Sequence, residues 1–336
     1  MVTIKDVAKA AQISVTTVSR ALNGYDDVNQ ETRERIQKVA KELGYVANRS
    51  AQNLVKQKNN TLAIILSGLE RDGGKDNIVY RLLSGMYQYA EQVNYEVVLF
   101  TTSSAHQKEK TYVQFCKEHN IGGAVLNGIR LDDPYLHELV KSDLPCVLID
   151  VDTQGDNVSS VTIDNEQAAY DAVMYLLEAN HRKIAMMNGR KEAAVSIERF
   201  KGYKRALSER GIPYDEALVF CADYLERMAY DLALEFLPKH PEVTALFCAS
   251  DMMAFGVMKA AKALNIHIPK QLSIIGFDNI PLSEHSMPAL STVDQDFYQM
   301  GQEAAKQLLK MIHHEAGNKK IILSYKLLAR ESVCVL

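Results

Sequence analysis

The chain has 336 residues, enough for two or three domains with full hydrophobic cores. Hydrophobic residues make up 47%, which excludes a disordered protein, and no apolar run reaches the roughly 18 residues that span a bilayer. The net charge of −4 is unevenly distributed, because residues 1–58 carry +4 and the remainder carries −8. A basic segment joined to an acidic body is typical of a protein that binds a polyanion through that segment.

Three short helices are predicted at the start of the chain. Thr3 and Asp6 form a capping box for the first, Ser14 caps the second after a tight turn, and Asn29 caps the third. Gly44 ends the third helix. Two helices joined by a tight turn and followed by a third are typical of a helix-turn-helix unit.

The second helix lies in the stretch "ISVTTVSRALN", which lacks the Glu and Lys that usually cover a surface helix. A recognition helix enters the major groove by its N-terminal end, where Val15 and Thr16 could contact base edges and thymine methyls. Arg20 could fork onto a guanine, and the helix N-termini at Ser14 and Asn29 could hold phosphates. Spacing alone leaves a three-helix module that binds protein as an equally good alternative.

The next stretch, "NRSAQNLVKQK", is short and basic and cannot form a stable helix by itself. It is either a plain linker or a segment that folds only on DNA.

The stretches "TIKDVAKAAQISVTTVSRALN" and "VNQETRERIQKVAKELGYVANRSAQNL" resemble the headpiece of the LacI/GalR family of bacterial transcription regulators. The resemblance implies that residues 15, 16 and 20 read bases and that the other contact residues hold phosphates or order a hinge. Ala51 and Leu54 would lie on a hinge helix, where the paired leucines of a homodimer wedge into the minor groove at the centre of a pseudo-palindromic operator. The complete DNA-binding set comprises Ser14, Val15, Thr16, Ser19, Arg20, Asn23, Asn29, Arg33, Tyr45, Asn48, Ala51 and Leu54.

Two headpiece residues depart from the family pattern. Gln12 stands at a turn position where the family usually has glycine, and a positive φ there would cost about 1 kcal/mol. Ala47 replaces the usual proline before Asn48, which predicts a hinge that is less ordered in the absence of DNA.

From residue 61 onward, short apolar runs alternate with helical stretches, which predicts parallel sheets built from βαβ units. The runs are "TLAIIL", "EVVLF", "GGAVLN", "PCVLID", "KIAMMN", "TALFCAS" and "SIIGFD". Roughly 275 residues exceed one such core, so two doubly wound lobes are expected.

The resemblance implies a body like a periplasmic sugar-binding protein, in which the chain crosses between lobes near Thr162, Ser291 and Ile322. The predicted fold is a small all-α headpiece followed by an α/β body of two doubly wound parallel-sheet lobes. The expected divisions are a headpiece over 1–47, a hinge helix and linker over 48–60, and an effector-binding and dimerisation domain over 61–336. Within this last domain, the N-lobe is expected over about 61–161 plus 293–321, and the C-lobe over about 163–290 plus 322–336.

Ligands of such sheets bind at the carboxyl ends of strands, here in the cleft between the lobes. For any single polar residue at a strand end, a loop cap or surface role is the more common explanation, and the resemblance strengthens the set as a whole. Ser250 stands where the family usually has Asn, so one expected hydrogen bond is in doubt. The candidates for effector binding are Ser67, Asn127, Asp150, Arg199, Tyr224, Ser250, Asp278, Gln295 and Phe297.

No catalytic residue, metal site or cofactor is predicted. Residues 68–76 contain a Gly-Gly-Lys sequence but not the spacing of a Walker A phosphate loop. The scattered cysteines and the absence of a secretory signal indicate a cytoplasmic protein that does not contact membranes. The predicted function is a sequence-specific DNA-binding regulator, a repressor, whose operator affinity is controlled by a small ligand such as a sugar or sugar derivative. The alternative is a solute-binding receptor of a transport system.

Overall fold

The computed structural model describes residues 2–22, 25, 27–45, 60–68, 76–139 and 141–336. The chain divides into two compact units, residues 1–60 and 61–336, here called the headpiece and the body. The predicted contact residues Asn23, Asn48, Ala51 and Leu54, and with them the hinge, lie outside the described residues.

The headpiece consists of three helices around a small apolar core. They are α1 (Ile4–Ala11), α2 (Val15–Leu22) and α3 (Gln30–Glu42). The backbone nitrogen and hydroxyl of Thr3 both donate to Asp6 Oδ2, at 2.8 and 2.7 Å. Asn29 Oδ1 accepts from the Thr32 backbone nitrogen at 2.8 Å, and Gly44 has φ +65° after α3. The sequence therefore places the helix ends correctly.

Gln12 forms the turn between α1 and α2 in the left-handed region, with φ 56° and ψ 42°. This is the conformation expected for a position that glycine usually occupies. A side chain in this region crowds the backbone, so the turn stores about 1 kcal/mol of strain.

The body contains two six-stranded sheets, one in each lobe. The first has the order β11-β5-β4-β3-β1-β2 and is parallel throughout. Its strands are β1 (Thr61–Ser67), β2 (Glu96–Thr102), β3 (Ala124–Asn127), β4 (Cys146–Ile149), β5 (Val158–Ile163) and β11 (Lys320–Leu323).

The second sheet has the order β12-β10-β9-β8-β6-β7, and its edge strand β12 runs antiparallel to β10. Its strands are β6 (Ile184–Asn188), β7 (Val219–Cys221), β8 (Ala245–Cys248), β9 (Ser273–Asp278), β10 (Ser291–Gln295) and β12 (Tyr325–Leu328). The order reverses between β1 and β3 in one lobe and between β6 and β8 in the other. These switch points are where doubly wound sheets bind ligands.

Helices cover the sheets, because strands buried on both faces need an apolar layer on each side. They are α4 (Asp76–Gln92), α5 (Ser104–Glu109), α6 (Tyr112–Glu118), α7 (Pro134–Leu139), α8 (Asn165–Glu178), α9 (Ala194–Glu209), α10 (Glu226–Phe236), α11 (Asp251–Ala263), α12 (Leu282–His285) and α13 (Phe297–Ile312). Within the described part of the chain, no helix combines the length and the apolarity that crossing a lipid bilayer requires.

Helices α4 and α13 pack with their backbones in close contact. A Cβ atom added at Gly85 would lie 2.0 Å from the Tyr298 carbonyl oxygen, and one at Gly301 would lie 2.1 Å from that of Leu82. Glycine is required at both positions for this approach.

All three predicted crossings between lobes lie a few residues before the point where the chain leaves its sheet. Thr162 is still in β5, so the first crossing follows Ile163. Ser291 begins β10, which pairs with β9 and β12 of the second sheet, so the chain leaves that sheet only after Gln295. Ile322 still pairs with Thr162 in the first sheet, and the chain crosses at Ser324. These offsets arise because an apolar strand does not reveal in which sheet it pairs.

Candidate functional site

The exposed start of α2 presents the side chains predicted to contact DNA. Ser14 Oγ accepts from the Thr17 backbone nitrogen at 3.1 Å and lies 2.8 Å from Thr17 Oγ1, which caps the helix. Val15 is 40% exposed although it is apolar, and Thr16 is exposed beside it. The core therefore uses the opposite face of α2, through Val18 and Ala21.

Arg20 lies one turn further along α2 and is held by the loop that follows. Its Nη2 is 2.5 Å from Asp27 Oδ2, and its guanidinium lies 4.9 Å from the centre of the Tyr25 ring. Both charged side chains remain about half exposed. Arg20 is thus on the surface that a recognition helix would present, but in a defined orientation.

Arg33, predicted to hold phosphate or order the hinge, is engaged within the headpiece. Its Nη2 donates to the Tyr25 carbonyl oxygen at 2.7 Å, and its Nε is buried without a partner among the described residues. The guanidinium therefore holds Tyr25, which lies between α2 and α3. Of the other candidates, Asn29 is exposed at the start of α3, while Ser19 and Tyr45 are half-buried.

In the body, all nine candidates for effector binding line one cavity of about 280 Å³ between the lobes. Ser67, Asn127 and Asp150 come from strand ends of the first sheet. Asp278 and Gln295 come from strand ends of the second. The cavity lies at the switch points of both sheets, as the strand orders require.

Arg199, on α9, is the central cation of the cavity. It is 2% exposed, and its Nη1 donates to the Ala249 carbonyl oxygen at 2.6 Å and lies 3.8 Å from Asp278 Oδ1. Its guanidinium also stacks on the Phe277 ring at 3.6 Å from the ring centre. These contacts leave the side chain little freedom, which suits a group that orients a ligand.

Asp278 and Gln295 form a buried pair beside Arg199. Gln295 Nε2 donates to Asp278 Oδ1 at 2.6 Å, and Gln295 Oε1 is buried without a partner among the residues described. Burial raises the pKa of Asp278 to about 7, although the Arg199 charge acts in the opposite direction. A buried acceptor without a donor carries a free-energy penalty that a ligand hydroxyl or N–H group would remove.

Asp150 follows β4 in the first lobe with φ 59°. The Thr162 hydroxyl donates to Asp150 Oδ1 at 2.8 Å, and Asn165 Nδ2 donates to that hydroxyl at 3.2 Å. Asn165 Oδ1 in turn accepts from Arg199 Nε at 2.9 Å. Burial raises the pKa of Asp150, and Arg199 opposes this shift. Hydrogen bonds therefore connect Asp150 to Arg199, and the ion pair of Arg199 with Asp278 completes the link between the acidic groups of the two lobes.

Tyr224 adopts φ 64°, a conformation that is unfavourable for a bulky residue. Its hydroxyl lies 2.7 Å from Ser196 Oγ, and its ring passes directly over Gly189. A Cβ atom at Gly189 would lie 2.0 Å from Tyr224 Cε2. Strain of this kind often marks a ligand site, and here it places an aromatic ring in the cavity wall.

Ser250 occupies the expected position but uses its hydroxyl to cap α11, accepting from the Met253 nitrogen at 3.3 Å. Ser67 is also engaged, since its hydroxyl lies 3.4 Å from Asp133 Oδ2 and accepts from Gln107 Nε2 at 3.3 Å. Both residues line the cavity with part of their hydrogen-bonding capacity already used.

The two lobes are in direct contact at the rim of the cavity. The Leu131 backbone nitrogen, in the first lobe, donates to the Glu192 carbonyl oxygen of the second at 2.9 Å. At a separate point, Arg81 Nη1 donates to the Asn279 carbonyl oxygen at 3.4 Å. Both contacts join one lobe directly to the other.

Sequence reasoning missed several residues that shape the cavity. Arg130 and Arg190 line it and follow strands β3 and β6, so the strand-end rule could have found them. Asp251 supports the loop after Asp278, accepting from the Ile280 nitrogen at 2.9 Å and the Ser283 hydroxyl at 2.6 Å. No local signal distinguishes this buried carboxylate from an ordinary helix cap.

Comparison with known proteins agrees with this geometry. Residues 3–48 match the model of bacterial regulatory proteins of the lacI family, and residues 173–333 match a periplasmic binding protein-like domain. Catabolite control protein A of Priestia megaterium is 32% identical over 334 residues, covering 98% of this chain and 99% of that protein. This chain belongs to the lacI family of bacterial regulatory proteins.

Other members of the lacI family show similar extents of likeness. The transcriptional repressor CytR of Escherichia coli K12 is 33% identical over 98% of this chain and 96% of its own length. A transcriptional regulator CelR–cellobiose complex superimposes with a TM-score of 0.75 at 29% identity, over 99% of this chain and all of that one. A lac repressor dimer bound to operator and an anti-inducer superimposes with a TM-score of 0.84 at 24% identity, over 99% of each chain, which shows that the fold is shared.

Family membership decides between the functions that the sequence left open. The protein is a DNA-binding transcriptional regulator with a helix-turn-helix headpiece and a two-lobed effector-binding body. The alternative of a transport receptor without DNA binding is disfavoured, because the relatives are regulators over nearly their whole length.

Proposed function

We propose that this regulator represses transcription by reading operator DNA with the exposed start of α2, and that a small sugar or sugar derivative in the interlobe cavity controls its DNA affinity. The observation that carries the proposal is the convergence of nine side chains from both lobes on one cavity, in a chain with a DNA-binding headpiece. Ligand pockets usually measure ~300–1,000 Å³, so about 280 Å³ suits a small ligand.

The cavity offers the groups that a polyhydroxylated ring requires. Asp278, Asp150 and Gln295 Oε1, which has no partner among the described residues, supply acceptors for hydroxyl groups. Arg199 supplies donors. The rings of Tyr224 and Phe297 offer apolar surface for the face of a sugar ring. The cellobiose complex of the related CelR supports a sugar as the ligand class.

On the DNA side, we propose that Val15, Thr16 and Arg20 contact bases in the major groove of each half-site. Two headpieces are needed for a pseudo-palindromic operator, so the functional unit is a homodimer. The operator-bound dimer of the lac repressor supports this assembly. The remaining predicted contacts, including the wedge at Leu54, stay predictions.

Ligand binding controls DNA affinity in this proposal by favouring one relative orientation of the lobes over another. A hinge as short as 48–58 has little stability of its own, so a change in the spacing of the two hinges would order or melt it. A coupling of ~1–3 kcal/mol changes DNA affinity about 5- to 150-fold, and operator must change ligand affinity by the same factor. No catalytic step is involved.

The DNA proposal is tested by fluorescence anisotropy with a duplex that the wild type selects from a randomised pool. Arg20→Ala should weaken binding to this duplex by ~1–3 kcal/mol, the range for a bidentate contact to guanine, and should weaken binding to a scrambled duplex much less. Equal losses on both duplexes would show that Arg20 contacts only phosphate.

The ligand proposal is tested by calorimetry, after a thermal-shift screen of sugars, sugar phosphates and nucleobases. Asp278→Asn should abolish binding of the screened ligand, while Glu284→Gln, which removes an exposed acid nearby in the sequence, should not change it. The proposal fails if Asp278→Asn binds like the wild type, or if saturating operator leaves the ligand Kd unchanged.

A further inference from the structure

Asp27 is an acidic residue on the surface predicted to face a polyanion, where a carboxylate is unfavourable for binding. It is the ion-pair partner of Arg20, at 2.5 Å, and about half of its side chain is exposed. An acidic group in this position weakens binding to every DNA sequence through its charge. Its presence beside the proposed base-reading arginine therefore points to a role other than affinity.

The described neighbours of Asp27 are held in the headpiece by several independent contacts. The Tyr25 nitrogen donates to the Arg20 carbonyl oxygen at 3.1 Å, and the Tyr25 ring lies beneath the Arg20 guanidinium. Arg33 Nη2 donates to the Tyr25 carbonyl oxygen, and Val28 is buried in the headpiece core. Asp27 is thus held next to Arg20 by the fold as well as by attraction between the charges.

We propose that Asp27 is a specificity-determining residue that acts through Arg20. The carboxylate engages Nη2, and with the Tyr25 ring it fixes the guanidinium so that its remaining N–H groups face a base edge. The same carboxylate keeps Arg20 from serving as a free cation for any nearby phosphate, and it repels phosphates itself. Asp27 therefore lowers affinity for random DNA more than it lowers affinity for operator.

This inference rests on the proposed role of Arg20, and the experiment separates the two. Anisotropy would measure binding of the full chain to the selected duplex and to the scrambled duplex. Asp27→Asn should tighten binding to scrambled DNA roughly two- to fivefold, the scale of an exposed ion pair, and should not tighten operator binding equally. The ratio of operator to scrambled affinity should fall at least twofold.

Three further variants make the result specific. Asp27→Glu should retain most of the ratio, because the carboxylate is kept. Glu42→Gln removes the same charge from the exposed end of α3 and should change both affinities by the same factor. In an Arg20→Ala background, Asp27→Asn should no longer change the ratio.

A ratio that stays constant or rises in Asp27→Asn would overturn the inference, as would a fall of equal size in the Arg20→Ala background. If Arg20→Ala alone leaves the wild-type ratio intact, the proposed reading role of Arg20 fails instead. Thermal unfolding of each variant confirms that the headpiece remains folded, which is expected because Asp27 is exposed.

Discussion

Two buried carboxyl groups in the second lobe are destabilising in their charged form. Burial raises the pKa of Asp278 to about 7 and that of Asp251 to about 6, from an ordinary value of 3.8. A carboxyl with a higher pKa in the folded chain binds more protons when folded. The free energy of unfolding therefore falls as the pH rises from about 4 to about 7, and this contribution is constant above that range.

Asp278→Asn should accordingly raise the melting temperature at pH 8 and change it much less at pH 5. The variant keeps the acceptor for Gln295 Nε2 but never ionises, and a tenfold change in an ionisation constant corresponds to about 1.4 kcal/mol. Calorimetric unfolding of the ligand-free protein between pH 5 and pH 8 measures the difference. For the control Glu284→Gln, the difference in melting temperature from the wild type should be the same at pH 5 and pH 8. The same result for Asp278→Asn would contradict burial of the charged carboxylate as the cause.

Gly189 determines whether the Tyr224 ring can occupy the cavity wall. In Gly189→Ala the new Cβ would lie 2.0 Å from the ring, so the ring must move and the cavity must change shape. Ligand affinity should fall at least tenfold, since a displaced ring loses its contact with the ligand and costs on the order of 1.4 kcal/mol or more. Calorimetry with the screened ligand measures this.

Gly122→Ala is the matched control, because its Cβ would meet only Ile312 Cγ2 at 4.0 Å. It should leave ligand affinity unchanged. Unaltered affinity in Gly189→Ala would mean that Tyr224 does not contact the ligand.

At the scale of elements, the turn between α1 and α2 shows local strain. Gln12 is exposed and adopts φ 56°, a backbone conformation that is unfavourable for any residue with a Cβ atom. Glycine, the residue usual at this position in the family, would relieve the strain.

Gln12→Gly should therefore stabilise the headpiece, because it removes about 1 kcal/mol of backbone strain. Part of this gain is offset, since glycine has a larger conformational entropy in the unfolded chain. Gln37→Gly, at an exposed position inside α3, should destabilise it by a similar amount. Hydrogen exchange of the headpiece amides in the full chain reports both changes. Slower exchange in Gln37→Gly, or faster exchange in Gln12→Gly, would contradict the backbone argument.

At the scale of the whole body, the two lobes are joined at the rim of the cavity by a direct hydrogen bond. The hydrogen bond from the Leu131 nitrogen to the Glu192 carbonyl oxygen joins a loop of one lobe to a loop of the other. A backbone bond of this type contributes only ~0.5–1.5 kcal/mol, so its loss should shift the lobes without unfolding either one.

Leu131→Pro removes the donor and should increase the radius of gyration of the ligand-free protein in small-angle scattering. It should also weaken ligand binding severalfold, because the ligand must then supply more of the free energy that closes the two lobes. Leu131→Ala keeps the donor and should resemble the wild type in both measurements. If the two variants behave alike, the bond does not hold the cleft.

The sequence by itself determined the features that depend on near neighbours in the chain. Caps at Asn29 and Ser14, the left-handed turn at Gln12 and the alternation of apolar strands with helices follow from local geometry and periodicity. The strand-end rule, with the family resemblance, also named nine residues that line one cavity, since carboxyl ends of parallel strands must meet at one edge.

The tertiary structure alone decided which distant groups meet and how each is used. The crossings between lobes lie a few residues beyond the predicted positions, because an apolar strand does not reveal in which sheet it pairs. The ring of Tyr224 over Gly189 and the ion pair of Asp27 with Arg20 join residues of different segments, and no local pattern predicts either contact. The raised pKa of Asp278 likewise follows from burial, which a sequence pattern indicates only for apolar residues.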